Sequence, residues 1–340
     1  MKNLIFAAAA ASVGSAMLSS GAQAQVSPPE ATVSAPEAQV NALEVLFGKQ
    51  ATFRRSQAKG VCASGYFVGN PAGQALSSAP VFSGDRVPVV ARFSVGGGNP
   101  KASDKSRSVR GLALRFDIPG GGQWLMANIS APMHFVSKPD QFAPFMQVRT
   151  PDPATGKPDP ERLKAFNEAN PETLLQGAWL AKAPVPASYG GTNYWSTNAF
   201  ELVNARADSQ FVRWQFAPEG GLLGLTEEQL KTMPDDFLDD ELRKRVNAAP
   251  VAFTFNLQLA ERDDQLTDPT RVWPDSRKVV PAGRLIIDKV EAGPGGACDK
   301  ITFNPLVLPQ GIKASADPVL LARPTPYAVS LVRRLTETVK

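Results

Sequence analysis

The sequence predicts an α+β chain in which an antiparallel meander or barrel is flanked by helices and followed by a terminal helix. Three observations carry this. Four apolar stretches follow one another between residues 61 and 129 with turns and no helical stretch between them, the order of an antiparallel sheet. Val251, Phe253, Phe255, Leu257 and Leu259 alternate with Ala, Thr, Asn and Gln, which is the two-residue period of a strand. From Asp317-Pro318 onward the apolar spacing becomes helical and runs through Tyr327 to Arg334.

Taken in order, residues 1–24 have the make-up of a secretory signal peptide: Lys2, an apolar run from Leu4 to Ala11, and Ala22-Gln23-Ala24 as a small-x-small cleavage site. The run is too short to span a bilayer, and no later segment qualifies. Residues 25–36, rich in Pro, Ala, Ser and Val, read as a flexible leader. Ser34-x-x-Glu37 has capping-box spacing for a short helix with Val40, Leu43 and Phe47 on one face, ended by Gly48. Strands are expected at Val61–Val68, Val89–Val95, Leu112–Phe116 and Trp124–Ile129, the second ended and the fourth preceded by triple glycines. Asp159-Pro160 starts a helix with Leu163 and Phe166 inward. Phe200–Asn204 and Gln210–Phe216 form a hairpin. Thr226-x-x-Gln229 opens a helix, and Leu230–Val246 is one helix broken at Pro234 or two helices. The strand at Val251–Leu259, another at Leu285–Val290 and the terminal helix complete the chain.

Composition excludes several classes. Thirty-six Lys and Arg against 32 Asp and Glu give a net charge of +4, and removal of residues 1–24 lowers it by the single charge of Lys2. So slight an excess, without a basic block, gives no case for nucleic acid or an anionic membrane. The triple glycines belong to no phosphate-binding loop. Asp235, Asp236, Asp239, Asp240 and Glu241 read as a solvated helix face rather than a calcium site. Cys62 and Cys298 are the only cysteines and His134 the only histidine, which lacks any zinc-ligand spacing. An exported chain can oxidise its two thiols, and two buried free thiols are the alternative. No G-x-S-x-G surrounds a nucleophilic serine.

The terminal helix carries the chemistry. Arg323 and Tyr327 stand i,i+4 and meet on one helix face. Arg334 returns to that face two turns later, and Pro324 and Pro326 bend the first turns. A guanidinium beside a phenol favours the phenolate, and phenolate is a ligand of haem iron. Two further segments are specific: Phe53-Arg54-Arg55-Ser56-Gln57-Ala58-Lys59-Gly60 and Val90-Ala91-Arg92-Phe93-Ser94. With these the chain resembles the catalase superfamily, and within it the small exported catalase-related peroxidases. Ser108-Val109-Arg110-Gly111, Pro132–Phe142, Phe200–Asn204, Val272-Trp273-Pro274 and Pro281–Leu285 follow in register, so the resemblance runs from about Leu43 to Leu335.

The resemblance implies one haem domain over residues 37–340: an eight-stranded antiparallel barrel with packed helices around a buried haem b. It places the axial ligand at Tyr327 and its partner at Arg323. Arg54, Arg92 and Arg334 match propionate-binding arginines, Ser94 the serine that orients the distal base, and Phe142 an aromatic at the haem face. The strand after Gly60 and the segment before Ile301 belong to the closing ends of that barrel, which implies a Cys62–Cys298 bridge. The family's base is a histidine in H-A-K-G, and here that position is Gln57, which cannot accept a proton at neutral pH. Ile129 falls where the family has an asparagine, with Asn128 one position away. His134 replaces one of a pair of aromatics and lines the pocket or merely packs. The implied activity is haem-dependent reduction of hydrogen peroxide with a small organic donor outside the cytoplasm, in the periplasm, impaired or not by Gln57. The alternatives are a catalytically weak haem carrier, sensor or scavenger, and a barrel that binds a non-haem ligand.

Overall fold

A computed structural model describes residues 35–291 and 295–337. The expected signal segment 1–24 and leader residues 25–34 lie outside the described residues. Strand β1 (Gly60–Gly69) pairs antiparallel with β2 (Arg86–Val95), β2 with β3 (Arg110–Asp117), and β3 with β4 (Gln123–Ile129). The two-residue β5 (Tyr194–Trp195) joins β4 to β6 (Ser209–Pro218). β7 (Val251–Leu259) pairs with β6 and with β8 (Val279–Val290), and β8 returns to β1. Eight antiparallel strands thus close in chain order into an up-and-down barrel, which leaves no open edge along the ring. Phe200–Val203 adds to β6 and Ile312–Ala314 adds to Phe200–Val203 outside it.

The alternation visible in the sequence fills the interior. Phe67, Phe93, Phe116, Phe216, Phe253 and Phe255 are fully buried, with Trp124 at 1% exposure and Trp214 at 3%. Several of their rings meet edge to face, as in Phe67–Phe255 at 5.6 Å and Trp124–Trp214 at 5.4 Å, and others stack, as in Phe116–Trp124 at 5.1 Å. Truncating such a ring to alanine costs about 3–5 kcal/mol. The lumen is a packed core, so any large ligand must lie outside it.

The turns follow local chemistry. Between β3 and β4, Gly120, Gly121 and Gly122 all have positive φ (84°, 108° and 92°), three left-handed residues in a row that only glycine tolerates cheaply. β8 begins six residues earlier than the alternation at Leu285 predicts. Its register against β7 passes from Gly283 opposite Phe255 to Pro281 opposite Asn256, skipping Ala282. Pro281, which has no N–H to give, stands beside that bulge.

The expected capping box at Ser34 and Glu37 is replaced. Helix α1 (Pro36–Phe47) has Ala35 at its N-cap, no side-chain cap and Pro36 in the first turn. Proline's fixed φ and missing N–H suit the first helical position, so the start falls one residue later than Ser34 would set it. The box at Thr226 and Gln229 forms and opens helix α2 (Glu227–Thr232). Leu230–Val246 resolves as two helices, the second being α3 (Leu238–Ala248) after Pro234. The acidic run is paired: Asp235 with Lys105, Asp236 with Lys59, Asp239 with Arg243 and Glu241 with Arg245.

At the C-terminus the prolines split the expected helix into α4 (Pro318–Ala322) and α5 (Pro324–Thr336), with Arg323 at the joint. α5 packs on α1. Arg55, buried to 3% exposure, ties them together. Its Nε lies 2.7 Å from Glu44 Oε1 on α1, and its Nη2 donates to Glu337 just past α5. Arg333 completes this clasp on Glu44 at 2.8 Å. Buried ion pairs offset their desolvation only when the remaining donors are also used. Arg55 Nη1 accordingly donates to the carbonyls of Phe53 (2.8 Å) and Gln50 (3.2 Å).

Candidate active site

The site begins on the outer face of β2, where the alternation that sends Ala91 and Phe93 inward sends Arg92 and Ser94 outward. Ser94 is paired with Gly111 on β3, and Gly111 with Ile129 on β4. Ala113 and Ala127 form the next rung of that face. Gln57 comes down on this face from the loop before β1, with its own φ at +52°. Ser94 Oγ donates to Gln57 Oε1 at 2.6 Å. A Cβ on Gly111 would stand 2.0 Å from Gln57 Oε1 and 2.5 Å from Ser94 Oγ, so the amide fits only because residue 111 is glycine.

Ile129 is therefore the side chain beside Gln57, as the outward member of its strand. Asn128 points the other way, donating to Leu112 O at 2.9 Å and accepting from Trp214 Nε1 at 2.7 Å. A one-residue difference on a strand changes faces, so Asn128 cannot substitute for an outward asparagine.

The second half is the Arg323–Tyr327 pair at the α4–α5 joint. Arg323 donates to Tyr327 Oη from Nη2 at 2.6 Å and from Nε at 3.0 Å. Its Nη1 donates to Asn198 Oδ1 at 3.2 Å, and Asn198 Nδ2 donates to Asp317 Oδ2 at 2.6 Å. The other carboxylate oxygen of Asp317 caps α4, accepting from Val319 N at 2.8 Å. Burial pushes the Asp317 carboxyl up against the hydrogen bonds that hold it ionised. The phenol is thus fixed by a guanidinium that is itself fixed by a buried chain of partners.

Three arginines join the halves. Arg92 donates to the carbonyls of Gln57 (2.9 Å) and Ala58 (3.1 Å). Arg54 donates from Nη2 to the carbonyls of Ile301 (2.7 Å), Cys298 (3.0 Å) and Asp299 (3.3 Å). Arg334 forms no hydrogen bond among the described residues. Burial, then repulsion from Arg92 and Arg334, pushes the Arg54 guanidinium down to about 9. Arg92 is lowered mainly by burial, with Arg334 adding repulsion. Asp299 is the nearest compensation, 3.8 Å from Arg92 Nε. That is too long for a hydrogen bond, and Arg92 Nε is left buried without an acceptor. Mutually repelling guanidiniums with unused donors make a site for an anion, best a carboxylate that two forks can share.

His134 and Phe142 lie on a partly buried aromatic patch. The His134 ring stacks on Phe135 with centroids 4.4 Å apart, and Phe135 meets Phe142 at 5.4 Å. Nδ1 of His134 is held against the backbone of Val136 at 3.1–3.3 Å. Burial, with repulsion from Arg323 second, pushes the imidazole down to about 4, so it is neutral at physiological pH and a weak base.

Comparison with known proteins now bears on this arrangement. Residues 42–340 match the family model for catalase. The chain belongs to the catalase family. It is 41% identical over 292 residues to a catalase-related peroxidase of Synechococcus elongatus, covering 86% of each chain. It is 32% identical to a catalase-related peroxidase of Mycolicibacterium paratuberculosis, over 84% of this chain and 90% of that one. A fungal catalase structure superposes with a TM-score of 0.75 at 23% identity, over 84% of this chain and 60% of the longer catalase. That last likeness concerns the fold.

The sequence had no signal for Asn198, which sits in a loop, and marked Asp317 only as a helix start. Gly111 appeared within a motif, without the reason now visible. The clasp of Arg55 with Glu44 and Glu337 spans 282 positions, beyond any local pattern. The Cys62–Cys298 bridge is formed, with Cα atoms 5.4 Å apart, and the free-thiol alternative is set aside.

Proposed function

We propose that this protein is a haem-dependent peroxidase that reduces hydrogen peroxide with small organic donors, and that Gln57 makes its turnover slow. The observation that carries the reading is the phenol of Tyr327 held by two donors of Arg323, facing no other polar partner among the described residues. The residues fit haem b: a phenol for the iron, three arginines with spare donors for two propionates, and a flat rung of Gly111, Ala113 and Ala127 beside Gln57. When bound, haem supplies the redox chemistry that splits the peroxide bond.

The chain's own groups have separable parts. Tyr327, its phenol fixed by two donors of Arg323, would be the iron ligand. Arg54, Arg92 and Arg334 bind carboxylates. Gln57, oriented by Ser94, holds peroxide by hydrogen bonds but moves no proton. Transfer of the proton from one peroxide oxygen to the other then falls to water, with Ile129 adding no donor or acceptor. The matches to catalase-related peroxidases across most of the chain support this class of activity. Export to the periplasm is part of the same proposal, supported by the Lys2–Ala24 sequence and by a disulfide of the kind oxidising compartments preserve.

Titration of the purified chain with haem b, followed by steady-state peroxide consumption with a chromogenic donor, tests the reading. We expect a stoichiometric Soret band and measurable but slow turnover. No Soret band would overturn the haem assignment. A Soret band without donor oxidation would leave a haem carrier, sensor or scavenger.

A further inference from the structure

Between β8 and the α4–α5 region runs a strap, residues 295–303, whose only regular element is one 3-10 turn, Ala297–Lys300. The buried Arg110 and Arg213 and the half-buried Arg54 each grip an irregular segment by its carbonyls. Arg110 holds Asp104, Ser106 and Ser108, Arg213 holds Asp268 and Arg271, and Arg54 holds Cys298, Asp299 and Ile301. Arg54 differs from the other two. Only its Nη2 is used, and Nε and Nη1 find no acceptor among the described residues. Its outer edge is free for a ligand, and all the hydrogen bonds of its side chain go to the strap.

The strap in turn depends on one covalent bond. Cys298, fully buried, is joined to Cys62 on β1. Cys62 stands directly across from Arg92 in the β1–β2 register. The sulfurs sit among Leu125, Ile301 and Phe303, and Arg54 lies over the Phe303 ring at 5.7 Å. Asp299, the acid nearest Arg92, follows Cys298 directly. Apart from the bonds from Arg54, polar anchoring among the described residues is slight: Ala297 N donates to Glu291 at 2.7 Å, while Gly295 N donates to Asp299 within the strap at 3.0 Å. Without the bridge, three like charges that repel one another are held together by a strap with few other ties.

We propose that the Cys62–Cys298 disulfide positions the carboxylate-binding arginines, so that the site takes the propionates of its ligand at full affinity only in the oxidised chain. The inference rests on the haem reading given above. The bridge fixes the strap, the strap fixes Arg54 and places Asp299 beside Arg92, and both guanidiniums keep donors unused for the ligand's carboxylates. Lost orientation of a charge-assisted hydrogen-bonding group corresponds to about a tenfold to hundredfold loss of affinity.

The test compares haem b with haem dimethyl ester, whose propionates carry no charge, by Soret titration of the full chain. The chain is used in three forms: oxidised, reduced and alkylated, and C62A/C298A. We expect haem b to bind at least tenfold more weakly without the bridge, and the ester to bind within about twofold of its affinity for the oxidised chain. R54A with the bridge intact should reproduce the loss for haem b, and adding it to C62A/C298A should weaken binding no further, as two changes along one chain of contacts do. Equal haem b affinity in bridged and unbridged chains would overturn the proposal. So would an equal loss for both ligands, which marks a scaffold role. Should C62A/C298A fail to fold, the reduced parent and R54A still decide. Binding of neither ligand by the oxidised parent overturns the haem reading itself, a result distinguishable from the others.

Discussion

The two halves of the site are built to different standards. Around Tyr327 a relay runs from the buried Asp317 and Asn198 through Arg323 to the phenol. The Gln57 side chain has one hydrogen bond among the described residues, from Ser94, and the neighbouring outward side chain is Ile129. A dense network fixes a group from several directions, whereas a single neutral bond fixes one contact. In the proposed haem site the ligand side therefore has a firmly held phenol, and the substrate side has placement without a proton acceptor.

The contrast breaks most sharply at Tyr327. Tyr327→Phe removes the oxygen that the relay supports. Haem retention should be lost, or its charge-transfer bands changed, in the absorption spectrum of the loaded variant. An unaltered spectrum and haem content would remove Tyr327 from the iron.

Gln57→His tests the other half. Acid–base catalysis typically contributes ~10²–10⁴-fold, and Ser94 is in place to orient a ring. Stopped-flow peroxide consumption should rise at least tenfold. His134→Phe should leave the parent rate within about twofold, because a neutral imidazole pinned to Val136 and pushed down to about 4 is a poor base. A large loss in His134→Phe with no gain in Gln57→His would transfer the proton relay to His134.

Arg323→Ala sharpens the comparison by stripping the dense side. The substitution removes both hydrogen bonds to Tyr327 Oη and the link to Asn198. Haem should still bind near neutral pH, but about tenfold more weakly in a Soret titration, the scale of a lost charge-assisted hydrogen bond. Equal haem affinity in variant and parent would show that the relay contributes nothing to ligand binding.

The smallest effect is on stability. His134 is lowered from 6.5 to about 4 in the folded chain, so between those values the unfolded chain binds a proton that the folded one does not. Stability is fully present above about pH 6.5 and falls as pH drops toward 4, by on the order of 3 kcal/mol at most. Denaturant titrations of the parent and His134→Phe at pH 7 and pH 4.5 should show the parent losing more. Identical losses would mean that the ring meets solvent in the folded state.

Much of this was legible in the sequence because it is periodic or local. The alternations at Leu112–Phe116 and Val251–Leu259 report which face of a strand is buried, and the barrel follows from enough such faces. The Arg323–Tyr327 pair is one helical turn and needs no tertiary knowledge. What could not be read lies across long separations. Asn198 meets Arg323 over 125 positions and Arg55 meets Glu337 over 282, and neither leaves a trace in local composition. The start of β8 at Val279 was missed because Pro281 and Gly283 argue against a strand until the bulge that accommodates them is known. Strand parity separated Asn128 from Ile129 only once the register was fixed.

The clasp of Arg55, Glu44, Arg333 and Glu337 has a consequence for the order of events during synthesis. The loop bearing Arg54 and Gln57 is made long before Tyr327 and Arg334. The barrel's early strands can pair with one another while translation continues, but the ligand-binding half does not exist until α5 emerges and docks on α1. Under the haem proposal, cofactor capture therefore waits for α5, and a product stopped short of Arg323 would carry all eight barrel strands without the proposed iron ligand. Joining two segments so distant in the chain across one site makes docking of α5 a signal that everything between them has been made.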